Sequence, residues 1–486
     1  MPKQSSRRQF LRSSLAAAAG GTVLFHSKAP TYAKPIGANE RLRIAVAGLN
    51  GRGGAHIGGW IGQKNVEVVS LIDPDEKVLR RAVESVNKKQ GGMCQGFKDV
   101  REALEEDELD AISIATPNHW HSLMTIWAAQ AGKHVYVEKP MSHDVAEGRI
   151  AVAAQEKYGV VVQHGTQRRS SGGIAGLHEA IKAGKWGKLK IAYGYCCKPR
   201  GSIGFEKPGD PPAHLDWNLW KGPAVIDQYH ANFHPYDWHW FWPTGNGDLN
   251  NQGTHQLDVA RWAIDDDQTH PVRAMAIGGR FKWGDQGETP NSMFGMAEYP
   301  NGQQVFFNVR NVNYDGYQRQ VENEYYFEDG GKIIRGQYYP KGSDKGEKVN
   351  VPGGKVTPGG NWGSFIAACR EGKPEMANGN VYDAHYGCVL GHLMNNSYRL
   401  GEKVPFNQKA GKFGDNADAA EHFGKLHDIL ANGVGIAEDS NHYTVGPWLT
   451  FDPKTETHTG DHAAAANKLL KDPNNAGFEV PSLDKV

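Results

Sequence analysis

A glycine-rich turn after a short apolar run is the first place where residue types and spacing indicate chemistry. Residues 44–47 predict a strand buried on both faces, and Gly48 interrupts the run where a tight turn would lead into a helix. In the G-x-G-x-x-G fingerprint, glycines let the backbone approach the pyrophosphate of a dinucleotide. The sequence therefore predicts a cofactor-binding turn formed by Gly48, Asn50, Gly51, Arg52 and Gly53.

This turn departs from the fingerprint at its middle position. Gly48 and Gly53 hold the outer positions, whereas Asn50 occupies the middle one with Gly51 beside it. Asparagine tolerates unusual backbone angles better than most residues, so the departure weakens the match without cancelling it. In a chain with 60 glycines, an ordinary turn between a strand and a helix explains the same pattern.

An acidic residue at the end of the next predicted strand supports the dinucleotide interpretation. Residues 66–72 are apolar, and Asp73 follows them, 25 residues after Gly48. A carboxylate at this place accepts a hydrogen bond from the ribose 2′-hydroxyl of NAD and repels the 2′-phosphate of NADP. We therefore expect NAD, with NADP disfavoured. A helix N-cap ahead of Pro74 is the structural alternative for Asp73.

Two more predicted strands end in polar residues. Residues 110–115 lead into the sequence TPNHWH, and residues 134–137 lead into EKP. Proline stops a strand and can begin a helix, so these residues are expected at the carboxyl ends of parallel strands, where doubly wound sheets bind ligands. Six of them join the predicted cofactor site: Thr116, Pro117, Asn118, His121, Glu138 and Lys139.

The order of the predicted elements indicates two domains. Between residues 40 and 164, strands alternate with helices, which predicts an α/β Rossmann domain with a doubly wound parallel sheet. From 165 to 408, strands follow one another through turns, which predicts an α+β domain with a large, mostly antiparallel sheet. Residues 409–486 are polar and dotted with glycine, and are expected to wrap the surface as an extension.

The predicted strands of the second domain span residues 189–197, 272–281, 292–299, 303–312 and 321–328. The sequence Pro300-Asn301-Gly302 predicts a hairpin turn between two of them. A broad exposed face of this sheet would suit subunit association, so we expect a homo-oligomer. Residues 361–400 are predicted to be helical again.

Composition argues against several classes of partner. The 54 basic residues balance 54 acidic ones, which disfavours nucleic acid or an anionic membrane. The five cysteines show no C-x-x-C spacing, so neither a zinc site nor a disulfide scaffold is predicted. No apolar run is long enough for a structural membrane span.

The amino terminus predicts export. Two arginines, Arg7 and Arg8, precede Phe10 and Leu11, a short apolar stretch and then small residues. This order is typical of a twin-arginine (Tat) signal, expected to span residues 1–33 and to be removed in a periplasmic protein. A frayed amphipathic helix that contains two arginines is the alternative.

Four motifs together resemble the family of glucose-fructose oxidoreductase, inositol dehydrogenase and rhizopine-catabolism proteins (Gfo/Idh/MocA). They are AGLNGRG near the start, TPNHWH at 116–121, VEKP at 137–140 and GNGDLNNQGTHQLD at 245–258. The stretch LDWNLWKGPA at 215–224 is similar to exported members of this family. The resemblance covers most of the mature chain and implies an NAD-dependent oxidoreductase.

The resemblance also implies roles for two residues. The lysine of the EKP motif, Lys139, would lie beside the nicotinamide and donate a hydrogen bond to the substrate hydroxyl, and His255 would take the proton. This division fits alcohol oxidation, in which the hydroxyl proton needs a base while a cation stabilises developing negative charge. The structural alternatives are a surface lysine before a proline turn and a histidine that caps a helix or packs in the core.

One position departs from the family pattern. Many dehydrogenases of this family carry an acid four residues before the histidine, where this chain has Asn251. An amide orients substrate but cannot accept a proton, so a relay between an acid and His255 is not expected. Asp258 would fix the histidine tautomer or, alternatively, form a salt bridge with Arg261.

Aromatic residues are concentrated between 214 and 242, where five of the 13 tryptophans occur. Flat rings with polar tips suit the faces of a pyranose, so this cluster predicts a platform for a sugar or polyol. Aromatic packing alone is the alternative. Three histidines also lie here, but no carboxylate ligand set accompanies them and no metal is predicted. The cluster contains Trp217, Trp220, Tyr229, His230, His234, Tyr236, Trp238, His239, Trp240 and Trp242.

Export and NAD binding together constrain the reaction. A compartment without free nicotinamide nucleotides requires that NAD is loaded before export and stays bound. Three functions remain open: an oxidoreductase acting on a secondary hydroxyl of a sugar, polyol or glycoside; a redox-neutral enzyme that cleaves glycosides after transient ring oxidation; and a non-catalytic binding protein. The third is disfavoured because Lys139 and His255 are both present.

Overall fold

The computed structural model describes residues 40–486. The predicted export signal, residues 1–33, lies outside the described residues. Two sheets organise the described part of the chain, one of six strands and one of twelve. No helix between residues 40 and 486 combines the length and the apolar character that a membrane span requires.

The first sheet is parallel, with the strand order β3-β2-β1-β4-β5-β6. The order reverses between β1 and β4, and doubly wound sheets bind ligands outside the carboxyl ends of such strands. The fold class predicted for this half is confirmed. The strands are β1 (Leu42–Ala47), β2 (Val66–Ile72), β3 (Gln95–Phe97), β4 (Ala111–Ile114), β5 (His134–Val137) and β6 (Val162–His164).

Four of these strands, β1, β2, β4 and β5, were predicted to within two residues because each is a mostly apolar run. Strand β3 was not predicted, since it has only three residues and two of them are exposed. Helices cover both faces of the sheet: α1 (Arg52–Ile61), α2 (Glu76–Gln90), α3 (Val100–Leu104), α4 (His121–Gln130) and α5 (Val145–Tyr158). The next helix, α6 (Gly172–Lys182), instead packs through Ile181 into the core of the second sheet.

The second sheet is mixed and mostly antiparallel. Its main path runs β14-β13-β12-β11-β7-β10-β9-β8-β16-β15, and only the β7–β10 pair on this path is parallel. The predicted hairpin joins β9 to β10, where the amide of Gly302 donates to Tyr299 O. The strands are β7 (Leu189–Cys197), β8 (Arg273–Gly279), β9 (Ser292–Glu298), β10 (Gln304–Arg310), β11 (Gln320–Phe327), β12 (Lys332–Ile334), β13 (Gln337–Tyr339), β14 (Glu347–Lys348), β15 (Glu402–Pro405), β16 (His442–Val445), β17 (Leu449–Asp452) and β18 (Thr457–Thr459).

Two helices, Gly253–Ala263 and Val381–Arg399, pack against the inner face of this sheet, and the second also contributes Val381 and Cys388 to the core of the first sheet. Leu257 projects from one helix and Leu393 from the other into a core that also contains Phe307 of β10. All three side chains are almost fully buried. The remaining helices are α7 (Trp217–Lys221), α8 (Gly247–Asn250), α9 (Gly253–Ala263), α10 (Gly360–Glu371), α11 (Val381–Arg399), α12 (Ala417–Asp428) and α13 (Ala463–Ala466).

The outer face of the second sheet is covered by the chain itself, in contrast to the prediction. Phe294 and Phe306 project from this face and pack under Phe406, Phe423 and Leu426, which belong to the segment after β15 and to α12. Strands β16 and β17 of the same region pair with β8. The expectations of a broad exposed face and of a carboxy-terminal extension that only wraps the surface were therefore wrong. The apolar residues of α12 recur at helical spacing but are few, so the polar composition of this region did not predict a buried helix face.

An irregular segment crosses above the carboxyl edge of the first sheet. We call residues 198–246 the roof segment. Backbone hydrogen bonds join it to the loop after β2, from Glu76 N to His214 O (2.9 Å) and from Asp216 N to Pro74 O (3.0 Å). The indole of Trp120 donates to Trp220 O at 2.9 Å. The roof segment therefore closes the side of the sheet on which a nucleotide would bind.

The carboxy-terminal tail holds the roof segment from the other side. The side chain of Asn475 donates to Gly222 O (2.9 Å) and to Ala224 O (2.5 Å). Phe478 packs edge-on against Trp120, with 5.5 Å between ring centroids. Residues far apart in sequence thus fix the position of the roof segment.

Candidate active site

A cavity of about 400 Å³ lies between the carboxyl edge of the first sheet, the roof segment and helix α9. Its volume falls within the range of small-molecule sites. Of the residues predicted to bind cofactor or to act in catalysis, all except Gly53 line it: Gly48, Asn50, Gly51, Arg52, Asp73, Thr116, Pro117, Asn118, His121, Glu138, Lys139, Asn251 and His255.

The turn after β1 has the close packing that a pyrophosphate cradle requires. Gly48 has φ +78°, and a Cβ at this position would lie 2.6 Å from Ala115 O. A Cβ on Gly53 would lie 1.8 Å from Gly48 O, so Gly53 serves the contact between helix and strand instead of lining the cavity. Gly51 has a positive φ of +47°, which favours glycine, whereas the φ of Asn50 is not positive. The tolerance of asparagine for unusual backbone angles is therefore not needed at Asn50. These residues fit a bound dinucleotide.

Asp73 has the position expected of a ribose acceptor at the tip of β2. Its carboxylate accepts hydrogen bonds from Leu49 N and Asp75 N, both at 2.9 Å. Burial raises the pKa of Asp73 to about 6, against the opposing effect of these two bonds. The predicted alternative is wrong in detail, because the N-cap of α2 is Asp75, which accepts from Lys77 N and Val78 N.

Glu138 is a buried carboxylate that organises the wall next to Lys139. It accepts hydrogen bonds from Arg52 Nε (2.7 Å) and His56 Nε2 (3.1 Å). Burial by itself would raise the pKa of Glu138, but the hydrogen bond and charge of His56 and the charge of Arg52 outweigh it and hold the pKa well below its usual range. Sequence reasoning missed His56, which lies one helical turn after Arg52 without a motif to mark it.

Lys139 is directed into the cavity and not to the surface. Its Nζ donates a 3.0 Å hydrogen bond to Asn251 Oδ1. Burial lowers the pKa of Lys139, and the nearby carboxylates of Glu138 and Asp248 oppose this effect. The surface-lysine alternative is therefore wrong. The residue that replaces the acid of the family pattern is the hydrogen-bond partner of the lysine.

His255 projects from the first turn of α9 into the same cavity. Burial, and next the positive charge of Lys139, lower the pKa of His255 to about 3, so the imidazole is neutral at pH 7. The structure shows no hydrogen bond from its ring to any other group within residues 40–486. A neutral ring without an internal partner is free to accept a proton from a ligand.

Asp258 does not orient His255, and it does not pair with Arg261. Its carboxylate accepts hydrogen bonds from Arg169 Nε at 2.9 Å and from a second guanidinium nitrogen of Arg169 at 3.0 Å. Arg261 instead donates to the backbone carbonyl of Thr269 at 3.2 Å. Both roles predicted for Asp258 were therefore wrong, because its partner lies 89 residues away in sequence.

Two consecutive regions of the chain match two models of one family. Residues 42–166 match the oxidoreductase family with an NAD-binding Rossmann fold, and residues 174–330 match the GFO/IDH/MocA carboxy-terminal domain. Together they cover more than half of the chain. The chain belongs to the GFO/IDH/MocA family. Residues 42–166 therefore form an NAD-binding Rossmann domain.

Curated relatives of this GFO/IDH/MocA protein include dehydrogenases of polyols and sugars. It is 32% identical over 200 residues to the NAD⁺-dependent scyllo-inositol 2-dehydrogenase of Bacillus subtilis, which covers 41% of this chain and 53% of the relative. It is 30% identical over 159 residues to glycosyl hydrolase family 109 protein 1 of Shewanella sp. (strain ANA-3), covering 29% of this chain and 35% of that protein. The matched part spans about half or less of these relatives.

A solved structure shows the same fold. The WlbA dehydrogenase of Bordetella pertussis, crystallised with NADH and UDP-GlcNAcA, superposes with a TM-score of 0.54 at 18% identity, over 74% of this chain and 97% of that one. At this level of identity the likeness concerns the fold alone.

The aromatic residues of this family member divide between the two predicted roles. One group lines the cavity: Trp220, His234, Tyr236, Trp238 and His239. A second group packs into a small core of the roof segment, and Trp220 and Trp238 belong to both: Trp217, Trp220, Tyr229, Phe233, Trp238 and Phe241. His230 stacks on Phe233, with 4.1 Å between ring centroids, and is not part of the cavity wall.

One group of side chains in residues 40–486 has the composition of a metal site, and it lies outside this cavity. His270 and His385 direct their Nε2 atoms at the carboxylate of Glu456, at 3.2 and 3.0 Å. These hydrogen bonds connect helix α11 to the hairpin of β17 and β18, so the group has a structural explanation without a metal. The predicted absence of a metal stays a prediction.

Proposed function

We propose that this protein is an NAD-dependent oxidoreductase that acts on a secondary hydroxyl of a sugar, polyol or glycoside and retains its cofactor. The observation that supports this most directly is that Lys139, Asn251 and His255 line the same cavity as the Gly48 turn and Asp73, with Lys139 hydrogen-bonded to Asn251. The scyllo-inositol 2-dehydrogenase relative acts on a polyol, which is of this chemical class.

Three residues of this chain would have separate roles in the reaction. Bound NAD⁺ supplies the hydride acceptor. The ammonium of Lys139 donates a hydrogen bond to the substrate oxygen and stabilises negative charge that develops there. The neutral imidazole of His255 accepts the hydroxyl proton. Asn251 keeps the ammonium in place through its amide oxygen.

The roof segment supports the proposal of a retained cofactor. It contributes Trp220, His234 and Trp238 to the cavity and is fixed on one side by the loop after β2 and on the other by the carboxy-terminal tail. We propose further that the mature protein is exported by the Tat pathway to the periplasm with NAD already bound. Twin arginines 7 and 8 support this part of the proposal.

The nucleotide content of the purified protein tests this proposal. Protein isolated from the exported pool should release close to one equivalent of nicotinamide nucleotide on acid or heat treatment. A panel of sugars and glycosides should then change the absorbance of the bound nucleotide. Protein that is isolated empty and cannot be loaded with NAD would refute the proposal.

A redox-neutral glycoside-cleaving enzyme is the second candidate. The glycosyl hydrolase family 109 relative and the roof segment over the cavity support it, since a cofactor that cannot leave must be reset in each cycle. Oxidation of a ring hydroxyl to a carbonyl would acidify the neighbouring C–H and allow elimination of the substituent on the next carbon. Addition of water and return of the hydride to the carbonyl would then give the free sugar and restore NAD⁺. Aryl glycosides separate the candidates, because this one releases the phenol with no net NADH.

We also propose that the external ligand is a carbohydrate and that the protein binds neither nucleic acid nor membrane. We propose further that the protein forms a homo-oligomer. Because α12 and its neighbours cover the middle of the second sheet, association would use the end formed by β11–β14, where most side chains are at least partly exposed. Light scattering after size-exclusion chromatography measures the mass of the assembly and tests this proposal.

A further inference from the structure

Asp248 lies directly behind the hydrogen bond between Lys139 and Asn251. The amide of Asn251 donates from Nδ2 to Asp248 Oδ1 at 3.1 Å, while its Oδ1 accepts from Lys139 Nζ at 3.0 Å. A chain of two hydrogen bonds thus joins a buried carboxylate to the ammonium group. Asp248 is fully buried and does not line the cavity, so its carboxylate cannot touch a substrate there.

Other residues hold Asp248 in a single orientation. Arg200 forms a two-pronged ion pair with it, with both nitrogen-to-oxygen distances at 2.8 Å. Asn311 Nδ2 donates to the same carboxylate at 2.6 Å. The guanidinium of Arg200 lies over the ring of Trp240, with its central carbon 5.2 Å from the centroid. The carboxylate is therefore rigid, and its charge is fixed relative to Asn251.

The carboxylate determines which end of the amide faces the lysine. If the Asn251 amide were turned by 180°, its NH₂ group would face the ammonium, donor against donor, and its oxygen would face the carboxylate, acceptor against acceptor. We propose that Asp248 is a positioning residue that orients the Asn251 amide oxygen toward Lys139 and so keeps the ammonium charged and aimed into the cavity. This inference rests on the proposed function only for its kinetic readout.

The charges around Lys139 show why Asp248 matters. Glu138 is engaged by Arg52 and His56, and Asp248 is the second acid near the ammonium. Arg52 and Lys198 are the nearby cations, and His121, His164, His239 and His255 also face this group. Without the charge of Asp248, Arg200 would lose its counter-ion and join the cations that oppose protonation of Lys139.

The test compares Asp248→Asn with the exchange variant Asp248→Asn/Asn251→Asp. In the single variant we expect kcat to fall about tenfold or more and the alkaline limb of the pH profile to move to lower pH by about one unit. The exchange variant puts a carboxylate next to Lys139 and an amide next to Arg200. It should regain about tenfold of the lost kcat and return the alkaline limb to higher pH.

A measurement that needs no substrate separates this inference from the proposed function. Competitive chemical labelling of the NAD-loaded protein, read by mass spectrometry, gives the protonation profile of Lys139 directly. A Lys139 profile that is the same in wild type and Asp248→Asn would overturn the inference. A profile that shifts while wild type oxidises no sugar or glycoside would support it and refute the proposed function.

Two further variants guard against a trivial result. Asp285→Asn makes the same change in the Arg280–Asp285 ion pair, which lies outside the cavity, and should leave the labelling profile of Lys139 unchanged. If Asp248→Asn does not fold, Asn251→Ala breaks the chain but leaves Arg200–Asp248 intact. It must then shift the Lys139 profile to lower pH, and an unchanged profile would overturn the inference.

Discussion

At the scale of single residues, the groups that would handle the proton come from different domains. Lys139 follows strand β5 of the first sheet, whereas Asn251 and His255 flank the start of α9 in the second domain. The 3.0 Å hydrogen bond between Lys139 and Asn251 spans 112 residues of sequence. Any change in the relative position of the domains would therefore alter the site directly.

Replacing Lys139 with Ala should abolish most turnover without releasing the nucleotide. Removal of a cation that stabilises a developing oxyanion costs about 10²–10³ in kcat. The pyrophosphate cradle at Gly48 is unaffected, so the bound nucleotide spectrum should persist. Lys185→Ala, which changes an exposed lysine bonded to Asn350 O, is the matched control. Unchanged kcat in Lys139→Ala would refute the role assigned to this lysine.

The pH dependence of activity should identify His255 as the base. Because burial and Lys139 lower its pKa to about 3, His255 stays neutral as pH falls below 6.5, and the rate should persist below the ordinary range of histidine. His255→Gln should lower kcat about 10²–10⁴-fold at every pH. Initial rates from about pH 4 to pH 9, measured with a saturating substrate (~10 KM), provide the test, and the wild-type rate should show no acid limb in the ordinary histidine range. A wild-type rate that falls with a midpoint at about pH 6.5 would contradict the lowered pKa of the base.

At the scale of elements, the roof segment and the carboxy-terminal tail act as one unit. Gly222 lets the roof backbone approach Trp120, since a Cβ there would lie 2.1 Å from the indole ring. The tail then holds Gly222 O and Ala224 O through Asn475. The nucleotide would leave only if this arrangement opened.

Asn475→Ala should therefore speed the release of bound NAD. Two lost hydrogen bonds weaken the closed arrangement by about 1–3 kcal/mol, which corresponds to about 5- to 150-fold in rate. Release can be followed by the fluorescence of the reduced nucleotide after dilution into excess NAD⁺. Asn441→Ala removes a comparable bond to Ala437 O away from the roof segment and should have no effect. Equal release rates in both variants would refute the retaining role of the tail.

At the scale of the whole molecule, the carboxy-terminal region belongs to the core of the second domain. Phe423 of α12 is 1% exposed and Tyr443 of β16 is fully buried, both against the outer face of the second sheet. Burial of this apolar face by the chain's own residues makes the region part of the fold. Association of subunits must then involve a different surface.

Phe423→Ala should destabilise the protein by about 3–5 kcal/mol, the range for a buried phenylalanine, and lower the thermal midpoint by several degrees. Differential scanning calorimetry of the nucleotide-loaded protein provides the measurement. Leu483→Ala removes a leucine that is 45% exposed and should change stability by less than about 0.5 kcal/mol. A shift in Phe423→Ala as small as in Leu483→Ala would mean that α12 is not part of the core.

Local sequence patterns alone were sufficient to predict the Rossmann domain and most of the residues that line the cavity. Each central strand is a continuous apolar run, and the carboxyl ends of parallel strands must meet at one edge, so the Gly48 turn, Asp73, Thr116 and Lys139 were brought together by reasoning from sequence. The hairpin between β9 and β10 follows from turn chemistry in the same way. These features depend on contacts between neighbours in the chain or on rules of sheet topology.

Only the tertiary structure decided the partners of buried polar groups and the coverage of the second sheet. Asp258 meets Arg169 across 89 residues of sequence, and Asn251 meets Lys139 across the two domains; no spacing in the sequence encodes either contact. Polar, glycine-rich composition hid the apolar face of α12, which has a partner only after the sheet has formed. The reason is physical: a hydrogen bond or an apolar contact depends on distance in space, which a one-dimensional pattern constrains only within an element.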